Sequence, residues 1–479
     1  MTIGLLSIAE LGRAFRAGSL SSEQVTRDAL DRIAASDPTI HAFVAVDDEP
    51  AMSAARAADL ELRQGHDRGF MHGIPYAVKD IIDVAGLPTT CHSKLRLGHV
   101  AEADAEITAR FRNAGAIMLG KLATFEFALG GPSFDLPFPP TRNPWNLEHV
   151  PGGSSSGSAA AVAAGFVRTA IGSCTAGSIR GPAAWCGIVG MKPTFGRVSR
   201  RGVFPLASSL DHCGPLSRSV EDAAMSLQIM AGHDPLDPSS ADIPVPDFRS
   251  TLEHGVAGLR LGVPRAFFET SSQLSSDVRS AIEKTLTLLR ENGARVEDIA
   301  LPDFTLFHSC NRVIMNAEAY ALHKASLQQR WADFGEITVR RFVAGISITA
   351  AEYLNALRLK RRLTAEVNDV LDRYDGLITA VSLATAPRFD TLSKALAWPL
   401  QSSPFNLTGH PAMTVPVGLG SDGLPLAVQV IGRPFDEPTV FRVGRAIETL
   451  TGWDRVIGPT WDGLSTAKPI IGRSKPNPS

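Results

Sequence analysis

Helices are the first elements to emerge from the spacing of apolar and polar positions. Ser7-Ile-Ala-Glu10 and Ser21-Ser-Glu-Gln24 both have the form of a capping box, in which a hydroxyl and an acid or amide three residues on satisfy each other's backbone N–H groups. Apolar residues at three- and four-residue spacing follow each box, predicting two opening helices that end near Gly18 and Pro38. Residues 51–64 and 104–113 repeat the helical pattern. Between them the period shortens at His72-Gly-Ile-Pro-Tyr-Ala-Val-Lys-Asp80, a β-rich run that delivers a lysine beside an aspartate, and 116–119 reads as a buried strand. Residues 129–153 are crowded with Gly, Pro and Asn and predict an irregular loop over a site. A glycine-serine loop, 152–157, then opens into an alanine-rich helix at 158–164 that stops at Gly165. A strand at 167–171, a second small-residue loop at 172–181 and a helix with Pro182 in its first turn complete this stretch.

Helices dominate from 220 to 373, interrupted by one βαβ-like unit: strand 259–263, helix 276–292, strand 294–299. Strands return at 376–380, 412–417 and 425–431, and the tail at 469–479 is expected to be loose. No internal repeat is present. Alternating elements of this kind predict an α/β fold, a large mixed sheet layered by helices.

Composition narrows the function classes. The 479 residues are 44% hydrophobic and 20% charged, with 42 Gly and 32 Pro, a folded profile rich in turns. Lys plus Arg number 47 against 49 Asp plus Glu, so no global field draws the chain to nucleic acid or an anionic membrane. The five cysteines form no CxxC pair and no zinc spacing. No signal peptide and no apolar run of bilayer length is apparent, and the expected setting is soluble and cytoplasmic.

Four short motifs fail on context. Gly115 to Lys121 matches a phosphate loop up to its lysine, but Leu122 offers no hydroxyl for Mg²⁺. Gly418-Leu-Gly-Ser-Asp-Gly423 runs into a strand-like segment and reads as a hairpin turn. Gly153-Ser-Ser-Ser-Gly157 would make Ser155 a nucleophile-elbow serine, yet the polar, turn-rich 142–151 before it is not the strand that motif requires. Cys174 is a lone cysteine of the kind more often buried than reactive.

What remains is Lys79 in an apolar setting and two glycine-serine loops. Serine needs a base within hydrogen-bond reach; a desolvated lysine can supply one, directly or through an intermediate hydroxyl. Glycines beside a nucleophile let backbone N–H groups converge on an oxyanion. On residue types alone, such loops serve equally well as turns or linkers.

The run Gly152-Gly-Ser-Ser-Ser-Gly-Ser-Ala-Ala-Ala-Val-Ala-Ala-Gly165, with Gly177-Ser-Ile-Arg-Gly-Pro-Ala-Ala184 and Gly187-Ile-Val-Gly-Met-Lys-Pro-Thr-Phe-Gly-Arg197, resembles the amidase signature family. Gly73-Ile-Pro-Tyr-Ala-Val-Lys-Asp80 and Ser209-Leu-Asp-His-Cys-Gly-Pro215 resemble further family blocks, and a weaker likeness extends to 411–436. The resemblance implies the amidase signature fold, a mixed sheet covered by helices on both faces. Residues 1–65 would be N-terminal helices packing on the core and 66–468 the catalytic domain, with chemistry in 72–218, helical cover in 220–373 and returning strands in 374–435. It implies a triad of Ser178 as nucleophile, Ser154 as relay on a cis peptide bond, and Lys79 as base. The amides of Thr175, Ala176, Gly177 and Ser178 would form the oxyanion hole; Ser155 and Ser156 would support by hydrogen bonds, and Arg180 would clamp the loop. Ala128 and Gly130 are expected at the substrate, walled by 128–140 and 405–410, with Phe125, Phe127 and Phe134 available for an apolar group or for plain core.

One departure stands out: Ser173-Cys174-Thr175-Ala176-Gly177-Ser178 replaces the family's usual Thr-Asp-Thr-Gly-Gly-Ser. Ala176 would be strained if that position needs positive φ, and Cys174 removes a charge. The activity the resemblance implies is hydrolysis of a small-molecule amide, aryl or acyl, or of a carbamate, through a Ser178 acyl-enzyme, with no cofactor and no metal. The expected partner is that small-molecule substrate, without nucleic acid or membrane, a homodimer being left open. The alternative is a glutamine-dependent amidotransferase A-type subunit that works with partner proteins, set second because 220–373 shows no trace of that subunit's central segment. A catalytically dead binding protein fits less well with all three triad residues present.

Overall fold

The computed structural model describes residues 3–394, 398–456 and 458–459. The expected loose tail at 469–479 lies outside them. Both capping boxes form: Ser7 caps the helix Ile8–Arg16 and Ser21 caps Ser22–Ile40. The second helix runs through Pro38 rather than ending there. It stops when His41 turns left-handed (φ 58°), and the Asp37 carboxylate takes the next free amides, Ala42 N at 2.7 Å and Phe43 N at 3.1 Å.

Eleven strands form one mixed sheet: β1 (Phe43–Val46), β2 (Pro75–Lys79), β3 (Ile117–Leu122), β4 (Thr169–Cys174), β5 (Val189–Lys192), β6 (His212–Ser217), β7 (Arg260–Val263), β8 (Arg295–Asp298), β9 (Gly376–Ala380), β10 (Ala412–Leu419) and β11 (Pro425–Ile431). Their spatial order is β1-β3-β2-β4-β6-β5-β10-β11-β9-β7-β8. Three of them, β1, β5 and β6, carried no readable pattern. β1 is a four-residue edge, while β5 and β6 are buried along their whole length and contain Gly or Pro, so no polar-apolar alternation marks them.

The parallel group β3-β2-β4 positions the site. Tyr76 pairs with Thr169 and Val78 with Ile171, so Lys79 at the end of β2 lies beside the last residues of β4. Ligands of such sheets gather where parallel strands end. The helix Ser156–Ala163 is buried almost all round and has no polar face. Its small residues permit backbone approach: a Cβ on Gly157 would stand 2.3 Å from the Ala42 carbonyl and 2.4 Å from Ala123 N. The expected βαβ unit appears as β7, the helix Ser276–Glu291 and β8. The helical cover contains two long helices, Phe304–Arg330 and Ala350–Leu371, packed on each other. No described helix is long and apolar enough to cross a membrane.

Candidate active site

Lys79 is fully buried, and its Nζ donates to Ser154 Oγ at 2.7 Å and to Ser173 Oγ at 2.9 Å. Burial drives its pKa from 10.5 down to about 7, because an ammonium in an apolar enclosure loses its hydration and surrounding acidic groups offset this only in part. An amine near neutrality in its basic form can take a proton. Ser173 was not singled out from the sequence. It opens the segment that departs from the family pattern, with serine in place of the usual threonine, and the pairing of β2 with β4 brings its hydroxyl to Lys79.

Ser154 follows a cis peptide bond from Gly153. A Cβ on Gly153 would stand 2.2 Å from the Phe125 ring, so a larger residue there would have to displace that ring. The Ser154 carbonyl accepts from Phe125 N at 3.1 Å, and Ser155 N donates to the Ser178 carbonyl at 3.3 Å, tying the two serine loops together. Ser155 and Ser158 act as braces, their hydroxyls donating to the carbonyls of Ser173 (3.1 Å) and Ile171 (3.2 Å). Ser156 donates more loosely to the Ala123 carbonyl at 3.4 Å. Ser178 itself is partly exposed, and its hydroxyl makes no hydrogen bond to a described residue.

The loop after β4 is held by its carbonyls. Asn406 Nδ2 donates to Cys174 O (2.8 Å), Asn311 Nδ2 to Thr175 O (3.2 Å), Ser402 Oγ to Ala176 O (2.9 Å) and Gly181 N to Gly177 O (2.8 Å). In a trans peptide the C=O and the following N–H point opposite ways, so four anchored carbonyls aim the amides of Thr175, Ala176, Gly177 and Ser178 away from these anchors. None of those four amides donates to a described residue. They form a row of free donors suited to a developing oxyanion. Gly177 sits at φ +137°, and a Cβ there would stand 1.8 Å from Ser402 Oγ. Ala176 is not among the residues with positive φ, so alanine in this place carries no left-handed strain.

Beneath this row Arg180 is fully enclosed, donating to Gln429 Oε1 (2.8 Å), to the Ser402 carbonyl (2.7 Å) and to Asn406 Oδ1. It clamps β11 and the helix Ser403–Leu407 against the loop. Thr175 Oγ1 donates to Asp211 Oδ1 at 2.6 Å, and Asp211 Oδ2 accepts from Leu206 N and Ala207 N.

The expected walls divide. Ala128, in a left-handed conformation (φ 61°), lines a cavity of about 340 Å³ with Ser173, Thr175, Phe204 and Asp211. Gly130 packs instead toward Thr338. Phe127 is buried among Phe204, His323 and Phe334, Phe125 lies 6.0 Å from the Trp398 ring, and Phe134 is 67% exposed. Two half-buried arginines were not anticipated. Arg312 lies one helical turn after His308, whose Nδ1 is 3.1 Å from Ser403 Oγ, and Arg341 lies one turn after Thr338. Burial lowers both guanidinium pKa values, and the charge of Arg312 lowers that of Arg341 further; neither has a hydrogen bond or ion pair to a described residue. Two cations without a described partner are of the kind that suits an anionic group of a ligand. Among the described residues no cluster of three His, Cys, Asp or Glu could hold a metal ion.

The model of the family described as Amidase matches residues 24–441. The A-type subunit of glutamyl-tRNA(Gln) amidotransferase from Moorella thermoacetica is 39% identical, covering 95% of this chain and 98% of that protein. A solved structure described as an unexpected vestigial protein complex revealing the evolutionary origins of an s-triazine catabolic enzyme superposes with a TM-score of 0.88 at 35% identity, covering 93% of this chain and 99% of its own. The native peptide amidase from Stenotrophomonas maltophilia superposes with a TM-score of 0.83 at 32% identity, over 95% and 98% of the two chains. The Moorella relative corrects one expectation: a chain whose sole partner is a small-molecule amide or carbamate, with no nucleic acid in view. A full-length match to a protein named as one subunit of a tRNA amidotransferase overturns it. Net charge near zero averages over the surface and so cannot exclude such a partner.

Proposed function

Since the chain belongs to the amidase signature family, we propose that it is an amidotransferase A-type subunit that hydrolyses the side-chain amide of glutamine and supplies ammonia to partner proteins. The carrying observation is the full-length match to a subunit of that name, and the site chemistry supports it. Ser178 Oγ attacks the amide carbonyl, its proton passing to Ser154 Oγ while Ser154 gives its own to the neutral Lys79 amine. With Lys79 neutral, the Ser154 hydroxyl donates along the same 2.7 Å contact in the reverse direction. The amides of 175–178 bind the oxyanion, and Lys79 returns the proton through Ser154 to the departing ammonia. Water then releases the acyl group by the same route. Arg312 and Arg341 support an acyl portion that bears a carboxylate, as glutamine does.

A second reading is hydrolysis of another amide, aryl or acyl, or of a carbamate on the same triad. It is favoured by the likeness to the peptide amidase over 95% of this chain.

Two measurements separate these readings. Intact mass after a fluorophosphonate probe should show one adduct that Ser178→Ala abolishes; an adduct that persists, or forms on Ser155, removes Ser178 as nucleophile. Ammonia release is then measured from glutamine and from aryl amides and carbamates, with and without candidate partner subunits. Glutamine turnover that rises with partners supports the subunit reading. Rapid aryl amide or carbamate turnover with no glutamine turnover under either condition rejects it.

A further inference from the structure

Among the described residues Lys79 Nζ has two hydrogen-bond partners, the buried hydroxyls of Ser154 (2.7 Å) and Ser173 (2.9 Å), and the chemistry assigned above uses only the first. A neutral amine carries one lone pair and two N–H groups. It takes the Ser154 proton only when the lone pair, and not an N–H, faces that hydroxyl, so rotation about the Cε–Nζ bond decides whether the base is aimed. An N–H given to Ser173 Oγ holds Nζ in reach of Ser154 and removes the orientation in which the lone pair is turned to position 173. Ser173 is itself held firmly. The Ser155 hydroxyl accepts from Ser173 N at 3.3 Å and donates to the Ser173 carbonyl at 3.1 Å, and Ser173 pairs with Cys213 of β6. Because Ser155 follows Ser154 in the chain, one residue ties together both hydroxyls that Nζ meets. Ser173 also lines the cavity of about 340 Å³ beside Thr175 and Asp211, where its own O–H can turn without drawing on the lysine lone pair.

We propose that Ser173 is a positioning residue that orients the Lys79 amine toward Ser154. The inference rests on the Ser178 chemistry proposed above, in which Lys79 takes the proton that Ser154 relays. During acylation Ser173 Oγ accepts one N–H of the amine while the lone pair takes the Ser154 proton; no covalent bond to Ser173 forms or breaks. The new N–H of the ammonium then points at Ser154, and the N–H on Ser173 stays in place. The proton therefore returns to the leaving group along the path by which it came, without reorganisation of the lysine between the two transfers.

The test compares Ser173→Ala and Ser173→Thr with the wild type and repeats Ser173→Ala in a Lys79→Met chain, reading kcat and KM for amide hydrolysis and the rate constant of fluorophosphonate labelling. Ser173→Ala should lower kcat and the labelling rate about tenfold to a hundredfold, with KM changed by less than about twofold. Ser173→Thr, which keeps the hydroxyl, should recover both rates to within about threefold of the wild type. In the Lys79→Met chain no amine is left to orient, so Ser173→Ala should change the remaining labelling rate by less than about twofold. An equal loss in both backgrounds overturns the inference, because Ser173 would then act on the loop or on Ser178 directly. Wild-type rates in the Ala variant, a loss carried by KM, or a folded Thr variant as slow as the Ala variant overturn it as well. If Ser173→Ala does not fold, Ser173→Cys, whose sulfur is a weak acceptor, decides by the same criteria. A wild type that labels at no serine and hydrolyses no amide instead rejects the function on which the inference rests.

Discussion

Replacing Lys79 by Met should abolish activity while stabilising the protein at neutral pH. Burial lowers the lysine pKa from 10.5 to about 7, and that difference corresponds to about 5 kcal/mol held against the charged form in the folded state. The sign follows from proton counting. Between pH 7 and 10.5 the unfolded chain carries a proton on Lys79 and the folded chain does not, so wild-type stability from this group rises with pH across that window. Below pH 7 the penalty is fully present. Methionine removes it but forfeits two hydrogen bonds, to Ser154 and Ser173, at about 1 to 2 kcal/mol each including the hydroxyls left without that partner. The net expectation is a gain of about 1 to 3 kcal/mol at pH 6 to 7 that shrinks to nothing and reverses near pH 10. Urea unfolding of wild type and Lys79→Met at several pH values isolates the difference, because every other titrating group is common to both. Turnover should fall by about 10² to 10⁴ or more. A variant equally destabilised at all pH values would refute the buried neutral amine, as would a stability difference independent of pH.

Asn406→Ala should lower both stability and turnover. It frees the Cys174 carbonyl and removes an acceptor from Arg180, a loss of about 2 to 4 kcal/mol by denaturant titration, with kcat falling more than KM rises. Arg341→Met, alone or with Arg312→Met, should raise KM for carboxylate-bearing amides about tenfold or more and leave uncharged amides nearly unaffected. An equal effect on both substrate types would mean that these arginines do not meet the substrate.

What local sequence settled were features whose physics is local. The two capping boxes depend on residues three apart, and both formed. The helix Ser156–Ala163 and its glycine-serine entry, the βαβ unit 260–298 and the mixed helix-layered sheet were likewise readable from spacing and turn chemistry. The proposed triad of Lys79, Ser154 and Ser178 came from the motif's resemblance to the amidase signature family and not from local spacing. Strands β5 and β6 escaped because full burial erases the alternation that marks a strand. Helix Ser22–Ile40 overran its proline because the Asp37 carboxylate takes the amides just past the helix end.

The tertiary structure alone decided everything that depends on groups distant in the chain. Ser173 meets Lys79 across 94 positions only because β2 and β4 run parallel. The free amides of 175–178 exist because Asn311, Ser402 and Asn406, from the far half of the chain, hold the carbonyls behind them. The lysine's availability as a base is likewise a product of enclosure and not of residue type. Its amine titrates near pH 7 because folding removes the water that would otherwise keep it charged.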